Sequence, residues 1–365
     1  MPAFREFVLK VHQRCNLACD YCYVYELADQ SWRDRPAAMA PGVWQAAARR
    51  IGEHATRHHL DSVEVVLHGG EPLLAGRESL VRLIGDVRAV VPAARFSTQT
   101  NGALLDSRML DALAAEGVRI GISLDGPPEQ HDRHRRHRNG RGSHALADRA
   151  LRLLAGHPAY AGILCAVDPA TDPLAVYESL LAHRPPVIDL LLPHAHWAAR
   201  PAPGAAEWLI AVFDRWYDAP RRETGIRLFE EVISLVLGGP SRSDQVGLSP
   251  VAVAVIESDG TIEQVDSLKA TYPGAAATGL NVFDHDLDAA TRHPGIIARQ
   301  SGRAALADSC LACPVHDICG AGHYAHRWRP GSGFRNPSVY CADLRRLIDH
   351  IGGRVAADLE RRARA

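Results

Sequence analysis

The stretch RCNLACDYCY at positions 14–23 places three cysteines, Cys15, Cys19 and Cys22, within eight residues. A closed structural zinc site takes four protein ligands, usually from paired Cys-x2-Cys motifs. Three thiolates on one loop without a local fourth instead suit a [4Fe–4S] cluster that leaves one iron open to a substrate or cofactor. The alternative is a zinc site that a distant residue such as His12 completes.

Around this stretch, short β-like runs alternate with amphipathic helical runs up to about position 195. The β-like runs lie at 6–12, 63–67, 94–100, 118–124, 161–167 and 187–192. Strands that alternate with helices favour a parallel α/β sheet, here a partial barrel. Such folds gather their chemistry at the C-terminal ends of the strands. Because the three-cysteine loop follows the first run, we expect it at that end.

A second part of the chain is predicted beyond a proline- and alanine-rich boundary near position 200. Two helices are expected there, and VAVAVIESDGTIEQVDS is typical of a β-hairpin that turns at Asp259-Gly260. The predicted segments are the barrel at 1–200, a helical linker at 201–240, a second domain at 241–345 and a C-terminal helix at 346–365. The two linker-region helices are predicted at 206–218 and 226–237.

Composition excludes several classes of function. Lys and Arg total 41 against 42 Asp and Glu, which gives no electrostatic case for binding nucleic acid or an anionic membrane. The start, MPAFREFVLK, lacks a signal-peptide core, and no run of about 18 apolar residues occurs, so we expect a cytoplasmic protein. In a reducing compartment, cysteines clustered at two ends of the chain favour metal binding over disulfides, and Cys165 stands apart.

The second cysteine set has the spacing Cys310-x2-Cys313-x5-Cys319, with Cys341 following twenty-two residues later. Four thiolates can close a metal site completely. Spacing alone leaves a zinc site and an iron–sulfur cluster open. His323 is a further candidate ligand for zinc, because Cys319-x3-His323 also has metal-ligand spacing.

The N-terminal motif resembles the Cys-x3-Cys-x2-Cys signature of radical S-adenosylmethionine (SAM) enzymes, in which an aromatic residue, here Tyr21, precedes the third cysteine. Three more stretches resemble motifs of that family in the same order, each after a β-like run: HGGEP at 68–72, TQTNGALL at 98–105 and GISLDGPPEQHDRHR at 121–135. The resemblance implies a [4Fe–4S] cluster on the three N-terminal cysteines that binds SAM and cleaves it reductively to a 5′-deoxyadenosyl radical.

The same resemblance implies a set of SAM contacts. The candidate residues are Tyr21, Gly69, Gly70, Glu71, Pro72, Asn101 and Ser123. The glycines allow close backbone approach to a ligand, the short polar groups suit the ribose and the carboxylate, and the tyrosine packs near the adenine. One arginine of the basic stretch 131–141 is expected at the SAM carboxylate. The structural alternative is a plain β-turn for the HGGEP motif and a core residue for Tyr21. For most of the basic stretch it is a solvated loop.

The C-terminal cysteine set resembles one auxiliary [4Fe–4S] cluster of the SPASM extension, whose complete form holds two clusters on seven cysteines. Here Val265 and His323 stand where that pattern has cysteines, so we expect one auxiliary cluster. Asp266 occupies the position of a carboxylate that is the proposed base in sulfatase-maturing relatives. We predict the same role here, and a turn or surface residue is the alternative.

Within the superfamily the chain resembles most closely the FxsB-like branch, through VHQRCNLACDYCYVYE, IEQVDSLK, ATGLNVFDHDLDAATRHPG and NPSVYCADLRRLIDHI. The resemblance implies a partial (β/α)6 TIM-like barrel with a SPASM-like Fe–S extension. It also implies a precursor-peptide substrate, cyclophane formation between an aromatic ring and a β-carbon, and an external electron donor such as flavodoxin or ferredoxin. The alternatives are thioether formation, sulfatase-type side-chain oxidation, or a non-enzymatic Fe–S or zinc scaffold.

Overall fold

The structure, a computed structural model, describes residues 2–364. Within these residues the chain forms two compact units. The first comprises the chain up to Leu124, Pro128–Leu164 and Val251–Ile297. The second comprises Asp125–Pro127, Cys165–Pro250 and the chain from Ala298 onward.

The secondary structure alternates as the sequence predicts. The strands are β1 Glu6–His12, β2 Val63–Gly69, β3 Ala94–Thr100, β4 Arg119–Ser123, β5 Tyr160–Ala166, β6 Val187–Leu191, β7 Gly225–Ile226, β8 Val253–Ile256, β9 Thr261–Glu263 and β10 Ala277–Asn281. The helices are α1 Pro41–Arg57, α2 Arg77–Val90, α3 Ser107–Ala115, α4 Pro128–His134, α5 His144–Leu154, α6 Pro173–Leu181, α7 Ala205–Tyr217, α8 Arg227–Val236, α9 Leu287–Thr291, α10 Pro294–Gln300, α11 Asp308–Leu311, α12 His316–Cys319 and α13 Cys341–Arg364.

The first unit is built on a sheet in which β1 to β5 run parallel in sequence order. Strand β1 lies inside this sheet and is buried along nearly its whole length, with Phe7 and Leu9 fully buried. Continuous burial of this kind is typical of a parallel strand covered on both faces. The crossover helices form where the sequence supplies start signals. Pro41 opens α1, and Asp106 caps α3 by accepting a hydrogen bond from Met109 N at 2.8 Å.

The predicted hairpin is present but extends the first sheet. β8 and β9 pair antiparallel and turn at Asp259-Gly260, where Gly260 has φ +85° and the Asp259 carboxylate accepts from Thr261 N at 3.0 Å. On its other side β8 pairs parallel with β1. The compact units therefore divide the chain differently from the predicted segments. Residues 251–297, predicted to belong to a second domain, lie in the unit that holds the first strands.

The second unit contains the parallel pair β6 and β7 and the helices α7, α8 and α13. The two predicted helices at 206–218 and 226–237 are confirmed within about one residue by α7 and α8. Phe213 on α7 meets Phe229 on α8 edge to face, with ring centroids 5.3 Å apart. The predicted C-terminal helix is part of α13, and Ala365 lies outside the described residues. No helix among residues 2–364 is long and apolar enough to cross a membrane.

Candidate active site

The three-cysteine loop follows directly after β1, at the C-terminal end of the parallel strands, as predicted. Cys15, Cys19 and Cys22 are all partly buried. Burial raises the pKa of the Cys15 thiol to about 12; the hydrogen bond from Leu17 N opposes this shift, and the Glu71 charge adds to it. Burial also raises the pKa of Cys22. Buried thiols gathered on one loop fit a cationic metal cluster, since metal coordination deprotonates a thiol outright.

The HGGEP turn at the end of β2 is fixed against this loop by its backbone. Gly70 N donates to the carbonyl oxygen of His12 at 2.8 Å, and Glu71 N donates to that of Arg14 at 3.0 Å. A Cβ atom at Gly69 would overlap the His12 carbonyl, and one at Gly70 would overlap the Tyr25 hydroxyl and the Arg14 carbonyl. Both glycines are therefore required by close packing against the segment that precedes Cys15.

Glu71 links the ends of β2 and β3. Its carboxylate accepts from Thr100 Oγ1 at 2.6 Å, from Asn101 N at 2.9 Å and from Leu73 N at 3.0 Å. The residue is 1% exposed, and burial raises the pKa of this carboxyl despite these donors. Pro72 is buried at the start of the short 3-10 helix Pro72–Ala75. Glu71 thus organises the turn.

The polar residues predicted for SAM lie at the ends of the neighbouring strands. Asn101 Nδ2 donates to Asn16 Oδ1 at 2.8 Å and lies 3.8 Å from Cys15 Sγ. Ser123 ends β4, and its Oγ accepts from Gln99 Nε2 at 3.0 Å. Each is less than a tenth exposed. Asn101 is thereby in contact with the cysteine loop, whereas the SAM contacts of both residues remain predictions.

Arg135 is the arginine of the basic stretch that approaches the cysteine loop. Its Nη1 donates to the Tyr21 hydroxyl at 2.7 Å, and the Tyr21 ring packs against His134 with centroids 5.8 Å apart. The sequence predicts an arginine of this stretch at the SAM carboxylate without selecting one. Arg135 is the best candidate, because it contacts Tyr21, which is itself a predicted SAM contact.

Asp266 lies in a polar cluster formed by the first two strands and the cysteine loop. Its Oδ2 accepts a hydrogen bond from Lys10 Nζ on β1 and another from the Tyr23 hydroxyl at 2.8 Å. Lys10 Nζ also donates to His68 Nδ1 on β2 at 2.9 Å. Since Tyr23 follows Cys22 in the chain, the cluster adjoins the cysteine loop. The Asp266 side chain is 18% exposed, which does not fit a surface residue, and its role as a base remains a prediction.

Electrostatics keeps Asp266 ionised. Burial raises the pKa of a carboxyl, but the Lys10 ammonium, followed by His68, lowers the pKa of Asp266 well below its usual range. The burial of Tyr23, followed by the charge of Asp266, raises the pKa of Tyr23 well above 10. The phenol therefore stays protonated and donates its hydrogen bond to Asp266. Sequence reasoning missed Lys10, His68 and Tyr23. The one available signal was a lysine in the middle of the apolar run EFVLKVH.

A buried ionic network lies behind this cluster. Lys269 Nζ pairs with Glu257 and, at 2.9 Å, with Glu263. Arg35 Nη1 lies 2.9 Å from Glu257 Oε1, and Gln13 Nε2 donates to the same carboxylate. Buried charges persist only when paired in this way. The network holds the 3-10 helix that begins at Asp266 against the end of β1.

The environment of His68 predicts a pH dependence of stability. Burial, followed by the Lys10 charge, lowers its pKa to about 4 from the ordinary 6.5. The unfolded chain therefore binds a proton on this histidine at a higher pH than the folded protein does. The free energy of unfolding should fall as the pH falls from about 6.5 toward 4, and should gain nothing further above that window. His68→Gln, which keeps an acceptor for Lys10, is expected to reduce this slope.

The measurement is urea unfolding of the cluster-containing protein between about pH 7.5 and pH 5 under anaerobic conditions. His59→Asn is the matched control, because His59 is exposed and has φ +50°, a conformation that asparagine tolerates. Equal slopes for His68→Gln and the control would contradict the assignment.

The second cysteine set comes together within the second unit. Cys310 lies on α11, Cys319 ends α12, Cys341 begins α13, and Cys313 lies between the first two helices. Burial, followed by the charge of Cys341, raises the pKa of Cys319 to about 11 and also raises that of Cys310. Arg345 donates to Cys313 Sγ at 3.6 Å. Four converging thiols fit a metal cluster of the predicted kind, which remains a prediction.

Cys165 and His323 differ from each other in their surroundings. Cys165 is fully buried on β5 and donates to the carbonyl oxygen of Ala166 at 3.6 Å, as expected of a packed cysteine. His323 lies beside two further histidines, His194 and His326, which sequence reasoning missed. The available signals were the His323-x2-His326 spacing and a histidine just after the β6 run.

Comparison with known proteins finds a family match in the N-terminal part of the chain. Residues 9–158 match the family model described as Radical SAM superfamily. The cysteine-type anaerobic sulfatase-maturating enzyme of Clostridium perfringens is 26% identical over 282 residues, which cover 73% of this chain and 75% of the relative. The serine-type anaerobic sulfatase-maturating enzyme of Bacteroides thetaiotaomicron is 24% identical over 283 residues, covering 69% and 66%.

Solved structures show the same fold. Native anSMEcpe with bound AdoMet and Kp18Cys peptide matches with a TM-score of 0.83 at 21% identity, covering 99% of this chain and all of that one. Streptococcus suis SuiB bound to precursor peptide SuiA matches with a TM-score of 0.64 at 15% identity, covering 93% and 76%. The predicted α/β fold with a parallel core is therefore confirmed.

Residues 9–158 thus match the radical SAM superfamily. Over about three quarters of its length the chain is also similar to anaerobic sulfatase-maturating enzymes. The family implies a [4Fe–4S] cluster and SAM as cofactors, and the thiols of Cys15, Cys19 and Cys22 fit that cluster. The FxsB-like branch and the individual SAM contacts remain predictions.

Proposed function

We propose that the protein modifies a ribosomally made precursor peptide, joining an aromatic ring to a side-chain β-carbon through a C–C bond. The observation that carries this proposal is the ionised Asp266 beside the cysteine loop, linked to it by Tyr23. A cross-link of this kind requires a proton acceptor next to the radical chemistry. The choice of a cyclophane rests on the sequence resemblance to the FxsB-like branch.

When bound, the cluster and SAM supply one-electron cleavage and a 5′-deoxyadenosyl radical that abstracts a hydrogen atom. The chain supplies position and charge. Lys10 holds the Asp266 carboxylate in place, and Tyr23 donates to the same oxygen. The Lys10 pair keeps Asp266 ionised, which makes it a weak base. A weak base is sufficient, because the ring that has formed the new bond and lost an electron is a strong acid.

The hydrogen atoms and electrons that leave the peptide give each cysteine set a role in the proposed reaction. Joining two C–H groups removes two hydrogen atoms from the peptide. One leaves as the atom abstracted by the deoxyadenosyl radical, and the other leaves as a proton and an electron. Asp266 is the proposed proton acceptor. The thiols of Cys310, Cys313, Cys319 and Cys341 would hold an auxiliary [4Fe–4S] cluster suited to accept the electron, and an external donor such as flavodoxin or ferredoxin would reduce the SAM-binding cluster.

A second candidate is sulfatase-type oxidation of a single cysteine or serine side chain. It is favoured by the similarity to sulfatase-maturating enzymes over about three quarters of the chain. It differs from cross-linking in its product, which remains linear. Thioether formation removes the same two hydrogens as a cyclophane but consumes a thiol. A non-enzymatic scaffold would cleave no SAM.

The test is an anaerobic reaction of the reconstituted enzyme with SAM, a reductant and the peptides encoded by small reading frames beside its gene. We expect 5′-deoxyadenosine and a peptide lighter by two hydrogens. Tandem mass spectrometry should show no fragmentation between an aromatic residue and the residue two positions later, and thiol labelling should be unchanged. A linear oxidised product would favour the sulfatase-type reaction, a lost thiol would favour a thioether, and no SAM cleavage with any peptide would contradict an enzymatic role.

A further inference from the structure

Three histidines of the second unit form a cluster that the proposed function does not use. His194 lies just after β6. His323 immediately precedes the 3-10 helix Tyr324–Arg327, and His326 lies within that helix. One ring nitrogen of each lies within 4.8 Å of the others. The ring centroid of His323 is 5.5 Å from that of His194 and 5.0 Å from that of His326. We refer to these three residues as the histidine triad.

The two ring nitrogens of His323 have different environments. Nε2 lies 3.4 Å from Oδ2 of Asp244. Nδ1 is buried and has no hydrogen-bond partner among the described residues. Histidines that bind a metal through one ring nitrogen commonly donate the other ring N–H to a carboxylate. The carboxylate then fixes the tautomer and the orientation of the ring.

Burial strengthens the case for a ligand. His326 is 3% exposed, and the His323 side chain is 13% exposed. Polar ring nitrogens are costly to bury unless something satisfies them. A single metal ion would satisfy one lone pair from each ring at once. The neutral imidazole is the form that binds metals.

We propose that the histidine triad binds a divalent transition-metal ion of the zinc class, and that Asp244 orients His323 from outside the coordination shell. Nitrogen donors select zinc and its neighbours over magnesium or calcium. Zinc–nitrogen bonds of about 2.0–2.1 Å place tetrahedral ligands about 3.4 Å apart, so nitrogens that lie within 4.8 Å of one another must approach by up to about 1.4 Å. The ion ties the segment after β6 to the segment that continues from Cys319, and a fourth position stays open.

A second histidine cluster, in the first unit, provides a contrast. His54 Nδ1 and His58 Nε2 both lie within hydrogen-bond distance of Oδ1 of Asp288, at 2.8 and 2.7 Å. Arg57 pairs with the other oxygen of the same carboxylate. The guanidinium already neutralises this carboxylate and would repel a cation. This cluster is therefore an ion-pair network and serves as an internal control.

The test uses the full chain with its iron–sulfur clusters reconstituted, incubated with Zn²⁺ and then desalted. We expect about one zinc per chain, and zinc-edge X-ray absorption with only nitrogen or oxygen neighbours at about 2.0–2.1 Å. A sulfur shell at about 2.3 Å would place the zinc on cysteines and overturn the proposal. So would a zinc content below about a tenth per chain in protein with its full complement of iron, because a nitrogen site of this kind binds tightly.

Variants locate the site independently of peptide modification. Replacing His194 and His326 together with asparagine should lower the zinc content at least about tenfold and leave the iron content unchanged. His58→Asn, in the contrasting cluster, should change neither. Zinc should also raise the Tm of the parent protein but not that of the double variant. If the double variant fails to fold, His323→Gln replaces it, and unchanged zinc in the folded variant overturns the proposal.

Discussion

Replacing Cys15, Cys19 and Cys22 with alanine is expected to abolish SAM cleavage while the protein stays folded. These three thiols lie on one loop at the end of β1. A set of three leaves one iron of a four-iron cluster without a protein ligand, whereas the second cysteine set has four members. Without them nothing holds the cluster that reduces SAM, so 5′-deoxyadenosine formation should fall to background. The measurement is 5′-deoxyadenosine by liquid chromatography in anaerobic reactions with dithionite.

Iron content provides the second half of this prediction. The parent protein should hold about eight irons per chain after reconstitution, and the triple variant about four, because the second cysteine set is intact. Cys165→Ala is the matched control, since this cysteine is buried and belongs to neither set; it should keep both the iron and the activity. Deoxyadenosine production by the triple variant would refute the assignment. About twelve irons per chain in the parent protein, or about four irons with one zinc bound by the second cysteine set, would contradict the prediction that this set holds one [4Fe–4S] cluster.

The sequence predicts the elements of the core well because the signals are local. The run EFVLKVH is apolar enough to specify a buried strand, and the observed β1 has the predicted bounds. The spacing of Cys15, Cys19 and Cys22 lies within one loop and needs no tertiary information. Asp259-Gly260 likewise specifies its own turn.

Long-range pairings are what the sequence could not supply. The hairpin strand β8 pairs with β1, which joins Glu6 to Val253 across most of the chain. Nothing in the local pattern of either strand indicates this partner, and so the hairpin was expected in a different domain. The pairing also explains the polar cluster, because it brings Asp266 to Lys10, 256 residues away along the chain.

Some motif residues have roles that the sequence could only suggest. Gly69 and Gly70 are needed because the backbone before Cys15 passes too close for a side chain, a contact between segments more than fifty residues apart. Glu71 binds the end of β3, so the second and third motifs stabilise one another. Residues in such motifs combine structural and ligand roles, and the contacts within the protein account for the glycines and for Glu71 before any ligand is considered.

Replacing Asp266 with asparagine should separate the start of the reaction from its completion. Hydrogen abstraction needs SAM, its cluster and a bound peptide, and none of these requires a base. Loss of the second proton does, and loss of a general base lowers a rate about 10²–10⁴-fold. We therefore expect Asp266→Asn to form 5′-deoxyadenosine with peptide present but to give much less cross-linked product for each deoxyadenosine. Both products are quantified in the same anaerobic reaction.

The control must remove a buried carboxylate without touching the proposed proton path. Glu263→Gln meets this need, because Glu263 pairs with Arg35 and Lys269 in the network behind the cluster. Both variants leave a buried cation with one partner fewer, so both should lower the Tm. Only Asp266→Asn should lower the ratio of product to deoxyadenosine. If the two variants lose stability and keep the same ratio, Asp266 fixes the 3-10 helix against Lys10 and does not take the proton, and another group must be the base.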